Sequence, residues 1–155
     1  LKPANIFICP NQPLESPIAQ VSVTELQFKI GDFGLVKNVE DSFAETTAGT
    51  QIYMAPELFD NRPYHHTADI WSFGCVLLEI CKLSLEKKLQ NMQLLLKGEE
   101  SYHKGIEQEL MQLEYPEELI AVIIDCLKKD ASQRCSAAQI IVRLKDAMVL
   151  KTSTQ

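Results

Sequence analysis

The first 34 residues are bounded by two short motifs, Leu1-Lys2-Pro3-Ala4-Asn5 and Asp32-Phe33-Gly34. Between them lie two apolar or alternating runs, Ile6-Phe7-Ile8-Cys9 and Leu26-Gln27-Phe28-Lys29-Ile30, which are separated by a segment rich in proline and polar residues. Such runs, flanked by turn-forming residues, are typical of β-strands. The pattern therefore predicts a strand, a loop and a second strand, folded so that Asn5 and Asp32 approach each other.

The sequence beyond residue 66 is dominated by helical patterns. Apolar residues recur at offsets of three, four and seven positions along a predicted central helix, with Thr67 as a possible N-cap. The residues of this stripe are Ile70, Phe73, Leu77, Leu78 and Cys81. A second helix is predicted over residues 85–96, with a polar outer side.

Two further helices have recognisable starts. Pro116-Glu117-Glu118 combines a proline suited to a first turn with two carboxylates near the positive end of the helix dipole. The apolar residues that crowd 119–127 predict a helix buried on most of its surface. Ser136-Ala137-Ala138-Gln139 has the pattern of a capping box. The helix that it opens has a predicted apolar stripe of Ile140, Ile141, Leu144 and Met148.

Composition limits the functional classes. The 155 residues have a formal net charge of −6, which argues against a nucleic-acid-binding surface, and no apolar stretch is long enough to span a bilayer. Five cysteines occur without a C-x-x-C pair, so a zinc site or a disulfide framework is not favoured. We expect a reducing intracellular environment, cytoplasmic or nuclear.

Five motifs occur in a fixed order along the chain, and together they resemble the eukaryotic protein kinase family. The motifs are Leu1–Asn5, like the end of the catalytic loop H-R-D-x-x-x-x-N; Asp32-Phe33-Gly34; the A-P-E within Gly49–Glu57; Asp69-Ile70-Trp71-Ser72-Phe73-Gly74; and Arg134. Lys2 and Thr50 resemble the serine/threonine type, and the stretch 41–46 is similar to NimA-related kinases.

The resemblance implies a protein-kinase-like α+β fold, represented by the large lobe only and mainly helical with a short β-hairpin. Residues 1–150 are expected to form this C-terminal lobe, and residues 151–155 a frayed tail. The sequence resembles a fragment that begins just after the catalytic-loop Asp, the general base, which is expected immediately before Leu1 and is absent here. The small lobe and the first part of the large lobe are likewise not matched.

The resemblance also assigns the chemistry. Asn5 and Asp32 are expected to bind Mg²⁺ and, through it, ATP, because hard oxygen ligands suit this ion. Lys2 is expected to contact the transferring phosphate, and Thr50 to line the pocket beside the phosphoacceptor. Taken singly, Asn5, Asp32 and Thr50 have a simpler interpretation as turn or loop residues.

Regulatory and structural roles follow in the same way. Thr46 and Thr47 are candidate phosphosites, with Thr46 preferred. Glu57 and Arg134 are expected to form a buried ion pair, while Asp69 orients the catalytic loop. Phe33 and Gly34 complete the metal-binding motif, and Trp71 is expected in the core. The family pattern D-P-x-x-R-P is altered in Asp130-Ala131-Ser132-Gln133-Arg134-Cys135, which lacks both prolines.

The implied function of the full-length protein is Mg-dependent transfer of the ATP γ-phosphate to Ser or Thr of a protein substrate. These 155 residues alone are expected to be inactive, because no nucleotide-binding glycine-rich loop or strand lysine is recognisable. The partners implied are ATP and a protein substrate, with no nucleic acid or membrane. The alternative is a non-catalytic kinase-like scaffold or regulatory module.

Overall fold

The computed structural model describes residues 1–11, 13, 21–31, 52–59, 65–82 and 100–152, without the side chains of Lys82 and of residues 148–152. The chain divides into two compact units, Leu1–Glu45 and Thr46–Gln155. The helix predicted over residues 85–96 lies outside the described residues.

The first unit contains the predicted hairpin. Strand β1 (Ile6–Pro10) pairs antiparallel with strand β2 (Leu26–Ile30), in a register that places Ile6 opposite Ile30 and Pro10 opposite Leu26. A 3-10 turn over Pro3–Asn5 leads into β1, and a second over Val23–Glu25 leads into β2. The two predicted strands are confirmed, while most of the predicted loop between them lies outside the described residues.

A capping box fixes the entry to β2. The Ser22 side chain accepts a hydrogen bond from the Thr24 N–H at 3.4 Å, and the Ser22 N–H donates to the Glu25 carboxylate at 3.1 Å. The two bonds satisfy backbone and side-chain groups at the start of the turn. They therefore define where the loop ends and the second strand begins.

The second unit is helical in its described part. Its helices are α1 (Pro56–Phe59), α2 (Thr67–Lys82), α3 (Glu100–Gln112), α4 (Glu117–Cys126) and α5 (Ala137–Thr152), with a 3-10 turn over Ala131–Gln133 before α5. Helix α4 packs against α2, α3 and α5. Together with the hairpin, these helices confirm the predicted composition of the fold in the described residues, mainly helical with a short two-stranded sheet.

The core lies where α2 and α4 meet. Trp71, Val122, Ile123, Cys126 and Leu127 have no exposed surface. Gly74 permits the close approach, because a Cβ atom at this position would lie 2.6 Å from the Cβ of Cys126. The glycine is therefore required by helix packing, since the backbone conformation of a helix suits most residues.

The predicted helix starts are largely confirmed. Helix α4 begins at Glu117 with Pro116 as its N-cap, and most of its surface is buried as expected. Before α5, the Ser136 N–H donates to the Gln139 side chain at 2.8 Å, and the Gln139 N–H donates to the Ser136 hydroxyl at 3.3 Å. The predicted capping box is therefore present.

Two details of the helical prediction are wrong. Thr67 is the first residue of α2 rather than its N-cap, because Ala68 and Asp69 already donate to the carbonyls of His65 and His66. Ile141 was assigned to the buried stripe of α5 but is 53% exposed. Helix α5 contributes a narrow face to the core, through Ile140 and Leu144.

Helix α3 was not predicted. Two of its residues, Ile106 and Leu110, are buried, whereas most of the remaining side chains are polar and exposed. The four-residue spacing of this pair was the available sequence signal. None of the helices in the described ranges has the length and apolar character needed to cross a membrane.

Candidate functional site

The open end of the hairpin holds the first candidate residues. Lys2 is extended, and its carbonyl accepts the Asn5 N–H at 3.0 Å, which closes the turn that Pro3 starts. The carbonyl of Asn5 in turn accepts the Gly31 N–H at 2.9 Å. Asn5 is therefore joined to the residue that directly precedes Asp32 in the sequence.

The side chains at this end remain accessible. Lys2 and Asn5 are both half-buried, so part of each residue is exposed to solvent. Gly31 lies under the ring of Phe7, since a Cβ atom at position 31 would approach the Phe7 Cε2 atom to 2.4 Å. A larger residue at position 31 would have to displace this ring from the end of the hairpin.

Several predicted site residues lie outside the described residues, and their roles remain predictions. They are Asp32, Phe33, Gly34, Thr46, Thr47 and Thr50. The predicted action of Asp69 on the catalytic loop also remains a prediction. Asp69 itself is exposed in the first turn of α2.

The predicted ion pair between Glu57 and Arg134 is present in the second unit. Nη1 and Nη2 of Arg134 each donate to one Glu57 carboxylate oxygen at 2.8 Å, which is the bidentate geometry that suits a guanidinium. The Arg134 side chain is fully buried and that of Glu57 is 12% exposed. Burial alone would raise the pKa of Glu57, but the hydrogen bonds and charge of Arg134 hold it below its ordinary value.

The remaining donors of Arg134 bind backbone carbonyls. Nε donates to Lys128 at 2.8 Å, Nη1 also to Thr67 at 2.9 Å, and Nη2 also to Lys129 at 3.2 Å. All five guanidinium N–H groups are thus satisfied, which offsets the cost of burying the charge. Arg134 joins α1, the start of α2 and the segment after α4.

Trp71 is in the core, as predicted, and its ring centroid lies 5.2 Å from the Arg134 guanidinium carbon. This distance is within the range of a cation–π contact. The indole Nε1 has no hydrogen-bond partner among the residues that the structure describes. The ring therefore packs directly against the buried ion pair.

A second network was not predicted from the sequence. The Ser72 hydroxyl lies 2.7 Å from the Tyr53 carbonyl and 3.2 Å from the Ala68 carbonyl, and the Tyr53 hydroxyl donates to the Glu79 carboxylate. Burial and the neighbouring Glu79 raise the pKa of Tyr53, so its hydroxyl stays protonated. These bonds hold the segment before α1 against α2.

Both networks use residues from the quoted motifs. Tyr53 and Glu57 belong to the stretch Gly49–Glu57, and Ser72 belongs to the central-helix motif. Through these contacts, the segment before and within α1 is bound to α2 and to Arg134. Thr50 lies three residues before Tyr53 in the sequence, outside the described residues.

Comparison with known proteins gives an independent result. The family described as "Protein kinase domain" matches residues 1–143. Among curated proteins, the chain is 36% identical over 119 residues to serine/threonine-protein kinase Nek9 of Xenopus laevis, a match that covers 74% of this chain and 12% of that protein.

Two other relatives match shorter segments. The chain is 53% identical over 57 residues to serine/threonine-protein kinase Nek5 of Mus musculus, covering 36% of this chain and 9% of that protein. It is 41% identical over 85 residues to serine/threonine-protein kinase Nek2 of Homo sapiens, a match that covers 54% of this chain and 16% of that protein. The matches thus span between 9% and 16% of these three relatives. The predicted resemblance is confirmed: the chain belongs to the protein kinase domain family and is related to the NimA-related serine/threonine kinases.

Proposed function

We propose that the protein that carries these residues is a serine/threonine protein kinase that transfers the γ-phosphate of ATP to a Ser or Thr hydroxyl of a protein. The observation that carries this proposal is the bond from the Gly31 N–H to the Asn5 carbonyl, in a hairpin whose register pairs Ile6 with Ile30. It joins the end of one kinase motif to the residue preceding the other, and this supports a metal shared between Asn5 and Asp32.

The donor set at this end fits magnesium. An amide oxygen from Asn5 and a carboxylate from Asp32 are hard ligands, and Mg²⁺ commonly takes one or two protein ligands together with phosphate oxygens and water. The half-buried position of Asn5 leaves its side chain accessible to such an ion. When bound, Mg²⁺ would neutralise part of the negative charge on the ATP phosphates.

The remaining chemistry is positioning. We assign Lys2 to the transferring phosphate, because it lies on the same turn as Asn5 and its backbone is fixed by the bond to Asn5. We assign Thr50 to the pocket beside the substrate hydroxyl. The Ser72–Tyr53–Glu79 network supports this role because it holds Tyr53, which follows Thr50 by three residues in the sequence, against α2.

Control by phosphorylation is proposed at Thr46, with Thr47 as the second candidate. Both residues lie between the Asp32-Phe33-Gly34 motif and the anchored segment that begins at Ile52. A phosphate would add up to two negative charges and three acceptor oxygens to this stretch. We further propose that the protein acts inside the cell, in the cytoplasm or nucleus.

We also propose that these 155 residues alone do not transfer phosphate. The catalytic-loop Asp that is expected to accept the substrate proton is not recognisable in this sequence. Neither is the glycine-rich loop or the strand lysine that would bind the nucleotide. The test compares the 155-residue chain with the longest natural product that carries it, using ATP and a generic Ser/Thr protein substrate with and without Mg²⁺.

The expected outcome is Mg-dependent Ser/Thr phosphorylation by the longer product only. Asn5→Ala and Asp32→Ala in the longer product are expected to lower the rate roughly 10²-fold or more, since each removes a metal ligand. An active short chain would refute the inactivity proposal. An inactive longer product that still folds would instead favour the non-catalytic scaffold.

A further inference from the structure

Two cysteine thiols meet at the end of helix α4. Cys126 is the last residue of α4, and Cys135 lies between the 3-10 turn over Ala131–Gln133 and helix α5. Their Sγ atoms are 3.7 Å apart, although the residues are nine positions apart in the sequence. Both side chains are buried, and both cysteines are present as reduced thiols.

Cys135 is buried but borders open space on one side. It lines a groove of about 700 Å³ between the segment after α4 and helix α5, whereas Cys126 does not line this groove. Lys128, Arg134 and Arg143 also line the groove, against the single carboxylate of Asp125. These cations are paired with the carboxylates of Asp125, Glu57 and Glu118, so the groove beside Cys135 is polar and its charges are balanced.

We propose that Cys126 and Cys135 form a reversible disulfide when hydrogen peroxide enters this groove. The Cys135 sulfur attacks a peroxide oxygen, the O–O bond breaks, and Cys135 becomes a sulfenic acid, while the departing hydroxide takes the Cys135 thiol proton and leaves as the first water. The Cys126 sulfur then attacks the Cys135 sulfur. An S–S bond forms, the S–O bond breaks, and the departing hydroxide takes the Cys126 proton as a second water. Two thiols lose two electrons, and one hydrogen peroxide is reduced.

The geometry requires a small movement. A disulfide has an S–S length near 2.05 Å, so the two sulfur atoms must approach by about 1.7 Å. Cys135 lies outside regular secondary structure, where such a shift disturbs no helix. Burial and the neighbouring Cys135 raise the pKa of the Cys126 thiol, which agrees with Cys126 acting second, as the resolving thiol.

The disulfide would close a loop that contains Arg134 and two of the carbonyl groups that bind it. The carbonyls of Lys128 and Lys129, which bind Arg134, lie inside this loop, and so does Arg134 itself. Cys135 also occupies a position where the kinase family pattern has proline, so the pair comes from a departure in this sequence. The inference does not depend on phosphoryl transfer. In a reducing cell, such a bond is transient and responds to oxidant.

The test treats the full chain with hydrogen peroxide, blocks remaining thiols with N-ethylmaleimide, and digests with trypsin without reductant. Cleavage after Lys128 and Arg134 places the two cysteines in separate peptides, Gly105–Lys128 and Cys135–Arg143. We expect these peptides to be recovered as one cross-linked pair that dithiothreitol separates. Closing a loop of this size should raise the thermal midpoint by roughly 5–10 °C.

Matched variants isolate the pair. Cys135→Ala is expected to lose both the cross-link and the shift on oxidation, and Cys81→Ala, which removes a similarly buried thiol, is expected to keep both. Recovery of Cys126 and Cys135 as separately blocked peptides after peroxide treatment overturns the proposal. So does oxidation of Cys135 to a sulfinic acid without a cross-link, or equal pairing with Cys9, Cys75 or Cys81.

Discussion

The hairpin unit and the helical unit are stabilised in different ways. No described residue of Leu1–Glu45 is buried, and Phe7, Phe28 and Ile30 are each more than half exposed. In Thr46–Gln155, helices α2 and α4 enclose a core that includes a fully buried tryptophan. A two-stranded hairpin alone is marginally stable in water, because it has one layer and no second surface to cover it.

The proposed metal site and the contacts that stabilise the fold are therefore in different units of the chain. Asn5, one of the two proposed metal ligands, lies at the end of a hairpin held by backbone hydrogen bonds, whereas the residues that bind the motifs together lie in the helical unit. Substitutions in the helical unit should therefore change the free energy of unfolding. Substitutions at the hairpin end should change metal binding with little effect on stability.

The largest expected effect is at the buried ion pair. Glu57→Ala leaves the fully buried Arg134 cation without its carboxylate, and should lower the free energy of unfolding by about 3–5 kcal/mol. Urea denaturation measures this loss. The control is Glu100→Ala, which removes an exposed pair with Lys104 and should leave stability unchanged. Equal effects of the two substitutions would contradict a structural role for Glu57.

The next effect is at the contact between α2 and α4. Gly74→Ala places a methyl group 2.6 Å from the Cys126 Cβ and 3.1 Å from Leu127, so it should destabilise the protein by about 1–3 kcal/mol. Gly105→Ala is the matched control in α3, because nothing lies within 4 Å of the added atom. It should stabilise the protein by about 0.5–1 kcal/mol. An increase in the free energy of unfolding in both variants would show that helix propensity outweighs packing at Gly74.

Acidification should lower the free energy of unfolding of the helical unit less than the substitution Glu57→Ala does. The folded pKa of Glu57 lies below its ordinary value of 4.5, so its contribution is complete above that pH and is lost as the pH falls through the folded pKa. A protonated Glu57 still accepts a hydrogen bond, which limits the loss. Urea midpoints between neutral pH and pH 3 measure this effect, and Glu57→Gln should flatten the curve. An unchanged slope in Glu57→Gln would assign the acid sensitivity to other carboxylates.

The smallest effect on stability is expected in the hairpin. Gly31→Ala displaces the Phe7 ring, but this ring is exposed and can turn into solvent, so the loss should stay below about 1 kcal/mol. The same urea experiment measures this change. A loss as large as that of Gly74→Ala would mean that the hairpin is packed as tightly as the helical core.

Local patterns account for the elements that the sequence predicted correctly. The hairpin follows from its apolar runs, and the start of α5 follows from Ser136 and Gln139, because both signals act over a few residues. Helix α3 was missed since a single buried pair, Ile106 and Leu110, is a weak periodic signal. Ile141 was misplaced because spacing does not reveal how wide the covered face of a helix is.

The site contacts required a different kind of information. Glu57 and Arg134 are 77 positions apart, and their pairing was predicted from the family resemblance alone. The Tyr53–Glu79 bond and the Cys126–Cys135 contact were not predicted, because spacing within one element says nothing about contacts between elements. Such contacts depend on how the helices pack, which the sequence pattern does not specify.

The most direct test of the central claim is paramagnetic broadening by Mn²⁺, which substitutes for Mg²⁺, in amide NMR spectra of the full chain. If Asn5 and Asp32 bind one cation, the Asn5, Ile6 and Gly31 amides should broaden at the lowest Mn²⁺ concentrations, and Asp32→Ala should abolish this effect. Broadening confined to the acidic surface of α3, around Glu100 and Glu107, with the hairpin signals unchanged, would contradict the account.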